Sequence, residues 1–196
     1  MSKQQRGAAT VDQLLTAALR VYAESGQQGF TVQAVTAASG VSLGSLYHHF
    51  GSFDGLAAAL YIRCMGGLFD AMTEAVTRCR TARTGVRALV KAYLEFTRDH
   101  RDAALFLHAS AYSGYLAGHA TEISTAKEAQ LGPLMAWMGA RMTKGEIRPI
   151  PAAVVEVMVM GPTAETAKRW LASTYEMDLD QAVKHLPEAI WRSLQP

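Results

Sequence analysis

GVSLGSLYHHF, residues 40–50, is the stretch on which the fold turns. Gly40 ends whatever precedes it, and Ser42 has the short side-chain oxygen that caps a helix N-terminus. A short helix over residues 43–49 is expected, ended by Gly51-Ser52, with Leu46 and Phe50 on the inner face that holds it to its domain. The helix carries two histidines but neither lysine nor arginine.

Working outward, Thr31 caps a second short helix over residues 32–38, ending at Ser39-Gly40. Upstream, Val11, Leu14, Leu15, Ala18, Leu19 and Tyr22 recur at i, i+3, i+4 and i+7, the apolar stripe of one longer helix. Asp12 falls in the expected first turn of that helix, and Gly26 is its stop. Downstream, Ser52 starts a further helix with Asp54 just inside it. Two short helices joined at Gly40 match the helix-turn-helix layout, whose second helix enters the DNA major groove.

The rest of the chain is helix-compatible almost throughout, with segments expected near 52–80, 85–98, 101–113, 118–143, 151–172 and 179–194. The breaks TARTG, RDHRD, YSGYLAG, KGEIRPIP and TYEMDLD carry glycine, proline or charge. Alternating apolar and polar stretches between tight turns are absent, so the fold class is all-α. The 196 residues allow one or two domains, and 49% apolar residues are ample for a core. A net charge of +2 is milder than a dedicated nucleic-acid-binding domain usually shows. The longest apolar runs fall short of a spanning helix, and MSKQQRGAAT lacks the apolar centre of a signal peptide. Two cysteines make no disulfide framework. A cytoplasmic protein away from membranes is the expectation.

Residues 8–60 resemble the DNA-binding domain of the TetR family of bacterial transcriptional regulators. The resemblance rests on Gly29-Phe30-Thr31, Val35, Gly40-Val41-Ser42, Gly44, Leu46-Tyr47, His49-Phe50 and Leu56, with the helix-turn-helix at about 31–50. Residues 61–196 are similar in pattern to the family's helical ligand-binding and dimerisation domain, most tellingly at GPTAETAKRWLAS, residues 161–173. This resemblance implies about nine helices and a homodimer. It also implies ligand-controlled binding of double-stranded operator DNA, with a repressor released by a small, largely apolar effector and no cofactor.

DNA contacts are then expected from Lys3 and Arg6 on an N-terminal arm, and from Thr31 and Ser42, whose helix N-termini can bind phosphate. Gln33 and Leu43 join this set, with Gly44 and Ser45, small enough for close approach to the groove. Tyr47 and His49 match positions where the family contacts the DNA backbone, and His48 can donate to a base edge or a phosphate. Several of the family's usual charges are missing. Many relatives have a basic residue at Leu43 and most have a lysine at Phe53, while Ala37 and Ala38 stand where charged residues are usual. Across residues 1–60, Lys3, Arg6 and Arg20 are balanced by Asp12, Glu24 and Asp54. Phosphate neutralisation supplies most non-specific affinity, so this domain should hold generic DNA poorly, and Leu43 offers apolar contact alone.

In the remainder, Met65, Phe69, Met72, Tyr93, Phe96, Phe106, Tyr112, Trp137 and Met138 suit an adaptable pocket between helices, with His108 as its polar member. Arg78, Arg80, Arg83, Arg87 and Lys91 form an acid-free cationic run, read as a solvated helix end. Val154, Val157, Met158, Gly161, Ala164, Leu171, Leu186, Ile190 and Leu194 on the last two helices are the expected dimer interface. Neither a Gly-rich phosphate loop nor HExxH is present, and the six histidines and two cysteines do not fall at metal-ligand spacings. Catalysis is therefore not expected. An alternative keeps the fold as a ligand-sensing dimer that acts through a protein partner. Cys64 and Cys79 are placed on one helix, about 22 Å apart at 1.5 Å per residue, too far for a bridge.

Overall fold

The computed structural model describes residues 3–110, 114–173 and 176–196. Ten helical segments follow one another among them: α1 (Lys3–Gly29), α2 (Val32–Ser39), α3 (Leu43–Phe50), α4 (Phe53–Thr77), α5 (Ala82–Asp99), α6 (Arg101–Ser110), α7 (Gly114–Ala117), α8 (Ala120–Thr143), α9 (Ala152–Leu171) and α10 (Leu179–Leu194). The all-α architecture is as expected, with the four-residue α7 added. The chain gathers into two compact units, Met1–Met65 with Leu105–Ala126, and Gly66–Ala104 with Lys127–Pro196.

In the first unit the apolar stripe of α1 is buried at Leu14, Leu15, Ala18, Val21 and Tyr22. The helix starts at Lys3, well ahead of that stripe, so Asp12 is mid-helix rather than in a first turn. There Asp12 pairs with Arg63 of α4 at 3.0 Å. Gly26 does interrupt α1, at φ 61° and ψ −165°, a backbone conformation that side chains with a Cβ rarely adopt. Beyond it, Phe30 enters an aromatic cluster: its ring centroid lies 5.4 Å from Tyr22 and 4.9 Å from Phe53. Phe106 closes the cluster at 4.7 Å from Tyr22. Phe53 thus puts an aromatic ring on the core.

α4 runs unbroken for 25 residues, through Gly66-Gly67. It is long and apolar enough to cross a membrane, but 56% of its most apolar window is buried inside the fold, as for a core helix. The expectation that the longest apolar runs fall short of a spanning helix is corrected by α4 on length and composition. Cys79 lies past the end of α4, in a turn where its N–H donates to the Val76 carbonyl at 2.9 Å. The two cysteines are therefore not on one helix, and both are free thiols.

In the second unit α5 starts on a reciprocal cap: Thr81 Oγ1 accepts from the Thr84 N–H, and Thr84 Oγ1 accepts from the Thr81 N–H. α5 and α9 pack together, and α10 packs on both. α9 turns inward at every fourth residue, burying Val155, Val159, Thr163, Ala167 and Leu171. Thr163, fully buried, donates its hydroxyl to the Val159 carbonyl at 2.6 Å. α10 buries Leu179, Pro187, Ile190, Trp191 and Leu194. Leu171, Ile190 and Leu194 therefore belong to the core of a single chain, which corrects their placement at a dimer interface. The cationic run is solvent-exposed, as expected, and most of it is also ion-paired. Arg78 pairs with Glu74, Lys91 with Glu95, and both Arg83 and Arg87 with Glu188 of α10.

Candidate nucleic-acid interface

Local chemistry sets the α2–turn–α3 geometry. Thr31 Oγ1 accepts from the Ala34 N–H, and Ser42 Oγ accepts from the Ser45 N–H, each at 3.2 Å. In both caps the oxygen lends a lone pair and keeps an O–H able to donate to an anion. Gly40 makes the turn at φ 66°, ψ 10°, with its N–H on the Thr36 carbonyl. The buried Ser39, which residue patterning alone did not single out, braces the turn by donating to the Thr36 carbonyl and accepting from the Val41 N–H. Two carbonyls at the end of α2 are satisfied from α1: Gln13 donates to Ser39 at 2.7 Å, and Arg20 to Ala38 at 3.1 Å.

α3 is held by Leu46, fully buried, with Phe50 half-buried. The His49 ring lies against Gly7 of α1, where an added Cβ would sit 3.8 Å from Cε1. Its neighbour His48 is exposed, with the two rings 5.2 Å apart. Leu43 and Tyr47, one turn apart, are 49% and 43% exposed, and a Cβ on Gly44 would meet nothing within 4 Å. Ser42, Thr31, Gln33 and Arg6 are also exposed, and Ser45 is half-buried. Lys3 opens α1, but its side chain lies outside the described residues.

Charge is scarce at this surface. Of the cations in the first unit, Arg20 caps α2, and Arg63 is committed to Asp12 and to the Thr16 hydroxyl. Among the described side chains, Arg6 and the two histidines of α3 remain for an anion. What the site can offer is therefore hydroxyls, helix N-terminal N–H groups, imidazoles and apolar contact. Among the described residues no three His, Cys, Asp or Glu side chains come together as metal ligands.

The profile of the bacterial regulatory proteins of the tetR family matches residues 14–60, and that of the tetracyclin repressor-like C-terminal domain matches residues 61–195. The chain belongs to the TetR family of transcriptional regulators. It is 30% identical over 95 residues to the HTH-type transcriptional repressor KstR2 of Rhodococcus jostii, a match that covers 48% of this chain and about half, 47%, of that relative. A TetR-family regulator from Marinobacter aquaeolei has the same fold, with a TM-score of 0.79 at 19% identity over 98% of both chains. FadR from Bacillus subtilis, solved in complex with stearoyl-CoA, matches with a TM-score of 0.73 at 18% identity over 91% of this chain and 96% of its own.

The side chains expected to line a TetR-family effector pocket divide between the two units. Met65, Phe106 and His108 belong to the first, and Phe106 is part of the aromatic cluster beside Tyr22, which corrects its placement in a pocket. Phe69, Met72, Tyr93, Phe96, Trp137 and Met138 belong to the second, where all but the half-buried Trp137 are buried. Tyr112 lies outside the described residues. In the second unit, α4 and α5 line an open groove of about 280 Å³, with Phe96 and Ala75 on it and the charged Glu74, Arg78, Glu95 and Asp99 around them, so it is not a largely apolar pocket. α8 contributes two buried polar atoms without a partner among the described residues, Gln130 Oε1 and Trp137 Nε1. Lys127 and Glu128 just before Gln130 read as a solvated face, so the sequence carries no signal that marks its amide as buried. Of the expected dimer residues, Val154 is 45% and Val157 68% exposed. Gly161 is exposed too, and Met158, Ala164 and Leu186 are half-buried.

Proposed function

We propose that this TetR-family regulator is a repressor that binds double-stranded operator DNA as a homodimer and leaves it when a small, largely apolar effector binds. The observation that carries the reading is the outward face of α3, where Leu43, Gly44, Tyr47 and His48 stand clear of the chain behind a Ser42 cap. A helix so placed fits a major groove, and a two-fold dimer presents two of them about 34–36 Å apart, one turn of DNA.

The exposed apolar residues of α9 support the dimer, because a second copy laid on Val154 and Val157 takes that surface out of water. Sedimentation at micromolar concentration should give a species of twice the 21.2 kDa chain mass. A species of the chain mass itself, unchanged by concentration, overturns the dimer. The effector class is supported by the apolar interior of the second unit, and by the stearoyl chain of the stearoyl-CoA held by the FadR relative from Bacillus subtilis. Gln130 Oε1 and Trp137 Nε1 suit one or two polar groups on an otherwise greasy molecule.

The test is a salt-titrated binding measurement on duplexes taken from the DNA flanking the gene. Specific binding with a shallow salt dependence is expected, lost in Tyr47→Ala and in His49→Ala. One observation favours a second reading, a ligand-sensing dimer that acts through a protein partner: α3 carries no lysine or arginine. Failure to bind any flanking duplex at low salt would select that reading.

A further inference from the structure

We infer that Leu43 reads the 5-methyl group of a thymine, so that each operator half-site has an A·T pair opposite the start of α3. This inference rests on the operator-binding reading above. Leu43 is the first residue of α3 and is half exposed, whereas Leu14, Leu46, Leu56 and Leu60 of the same unit are fully buried. The described residues leave five large apolar side chains this exposed, and two of them, Leu43 and Tyr47, share the outward face of this eight-residue helix. Gly44, between them, has open space where a Cβ would be, so the backbone can approach a partner closely at this point.

The major groove shows a protein three kinds of feature: hydrogen-bond acceptors, hydrogen-bond donors and the thymine methyl. Leucine has neither donor nor acceptor. Laid against a guanine or cytosine edge it strips water from polar atoms and returns nothing, a cost that acts against G·C pairs. Laid against the methyl it buries apolar surface on both sides. The usual guanine reader, a bidentate arginine or lysine, is absent from α3. Attraction to thymine and rejection of G·C thus come from one side chain.

The operator sequence is obtained first by selection from a library of randomised duplexes of about 30 bp, long enough for two half-sites. Each thymine of the selected duplex is then replaced by deoxyuridine, which keeps the pairing and removes the methyl. One thymine per half-site should prove sensitive, with binding about fourfold weaker for each and about fifteenfold weaker for the symmetric pair. Leu43→Ala should bind more weakly and become indifferent to that replacement, while Leu43→Met keeps the discrimination. Cytosine at the same position should weaken binding, and 5-methylcytosine should recover part of the loss. If every thymine is insensitive, or if Leu43→Ala still discriminates, the inference is overturned while operator binding stands. Selection that enriches no sequence overturns the operator-binding reading and the inference with it.

Discussion

α3 opens on the Ser42 hydroxyl with Gly44 in its first turn, and α5 opens on the Thr81 hydroxyl with Gly85 one turn inside. Around α5 every opportunity is used within the chain. A Cβ on Gly85 would sit 1.9 Å from the Trp137 ring, so the indole occupies that space. Glu146 accepts from the Ala82 N–H at the helix start at 2.6 Å, and Arg141 joins Glu146 at 3.2 Å while lying 5.1 Å over the Trp137 ring. Arg83 and Arg87 of α5 are drawn to Glu188, and Arg98 to Asp99 and Asp180. α3 has the same beginning with nothing among the described residues in front of it: open space at Gly44, and Leu43 and Tyr47 facing water. The difference teaches that available charge and available surface are properties of pairing. The cation-rich helix has its charges paired within the chain, and the cation-free one turns apolar side chains to water.

The two glycines give the largest expected effect. Gly85→Ala drives a Cβ into a rigid ring, and overpacking of this kind costs about 1–3 kcal/mol, or roughly 2–12 °C in Tm. Gly44→Ala should leave Tm unchanged or raise it, since alanine is favoured over glycine in an exposed helix by about 1 kcal/mol, while weakening DNA binding. Thermal melts and binding titrations on both variants check this. A Gly85→Ala protein that melts like wild type would break the comparison.

Charge placement gives the next effect. Leu43→Lys and Glu188→Gln each make the chain one unit more positive. Leu43→Lys should raise affinity for random-sequence DNA and steepen the salt slope by about 0.9 for each added phosphate contact. Glu188→Gln weakens a carboxylate shared by Arg83, Arg87 and Arg192, and should lower Tm by about 2–4 °C with DNA binding unchanged. Equal gains in DNA affinity would mean that charge count, rather than position, governs binding.

The smallest effect sharpens the contrast through pH. The Glu146 carboxyl is held below the usual carboxylate range, first by the Ala82 N–H and then by Arg141. A depressed carboxylate contributes stability above its unfolded pKa and loses it as pH falls through its folded value. The Tm advantage of wild type over Glu146→Gln should therefore be full at neutral pH and shrink below about pH 4.3, the ordinary glutamate value. An advantage that persists unchanged into that acid range would show that the carboxylate charge is not what secures the start of α5.

What was legible in the sequence was local. Thr31, Ser42 and Ser52 cap the helices they precede, because such a cap needs a hydroxyl two or three residues from its N–H. Gly40 and Gly26 hold positive φ where the pattern stops. The start of α1 was missed because residues 3–10 carry no apolar stripe. Phe106 was assigned to a pocket because its partners, Tyr22 and Phe30, are far away in the chain. On α9 and α10 apolar residues occur on more than one face, so periodicity could not tell Ile190 and Leu194, turned into the core, from Val154 and Val157, turned out. The acid that answers Arg83 and Arg87 is Glu188, about a hundred residues on.

The two thiols give the protein a ready-made reporter position. Burial raises the Cys64 thiol to about 12, so at pH 8 roughly one molecule in ten thousand presents a thiolate there. Cys79 is partly accessible, and its carbonyl receives the Arg141 guanidinium at 3.3 Å. A maleimide dye added to the native wild-type chain should couple at Cys79 and leave Cys64 untouched until the protein unfolds. The fluorophore would then sit beside the Arg141–Glu146 clasp, able to follow its opening without a single engineered residue.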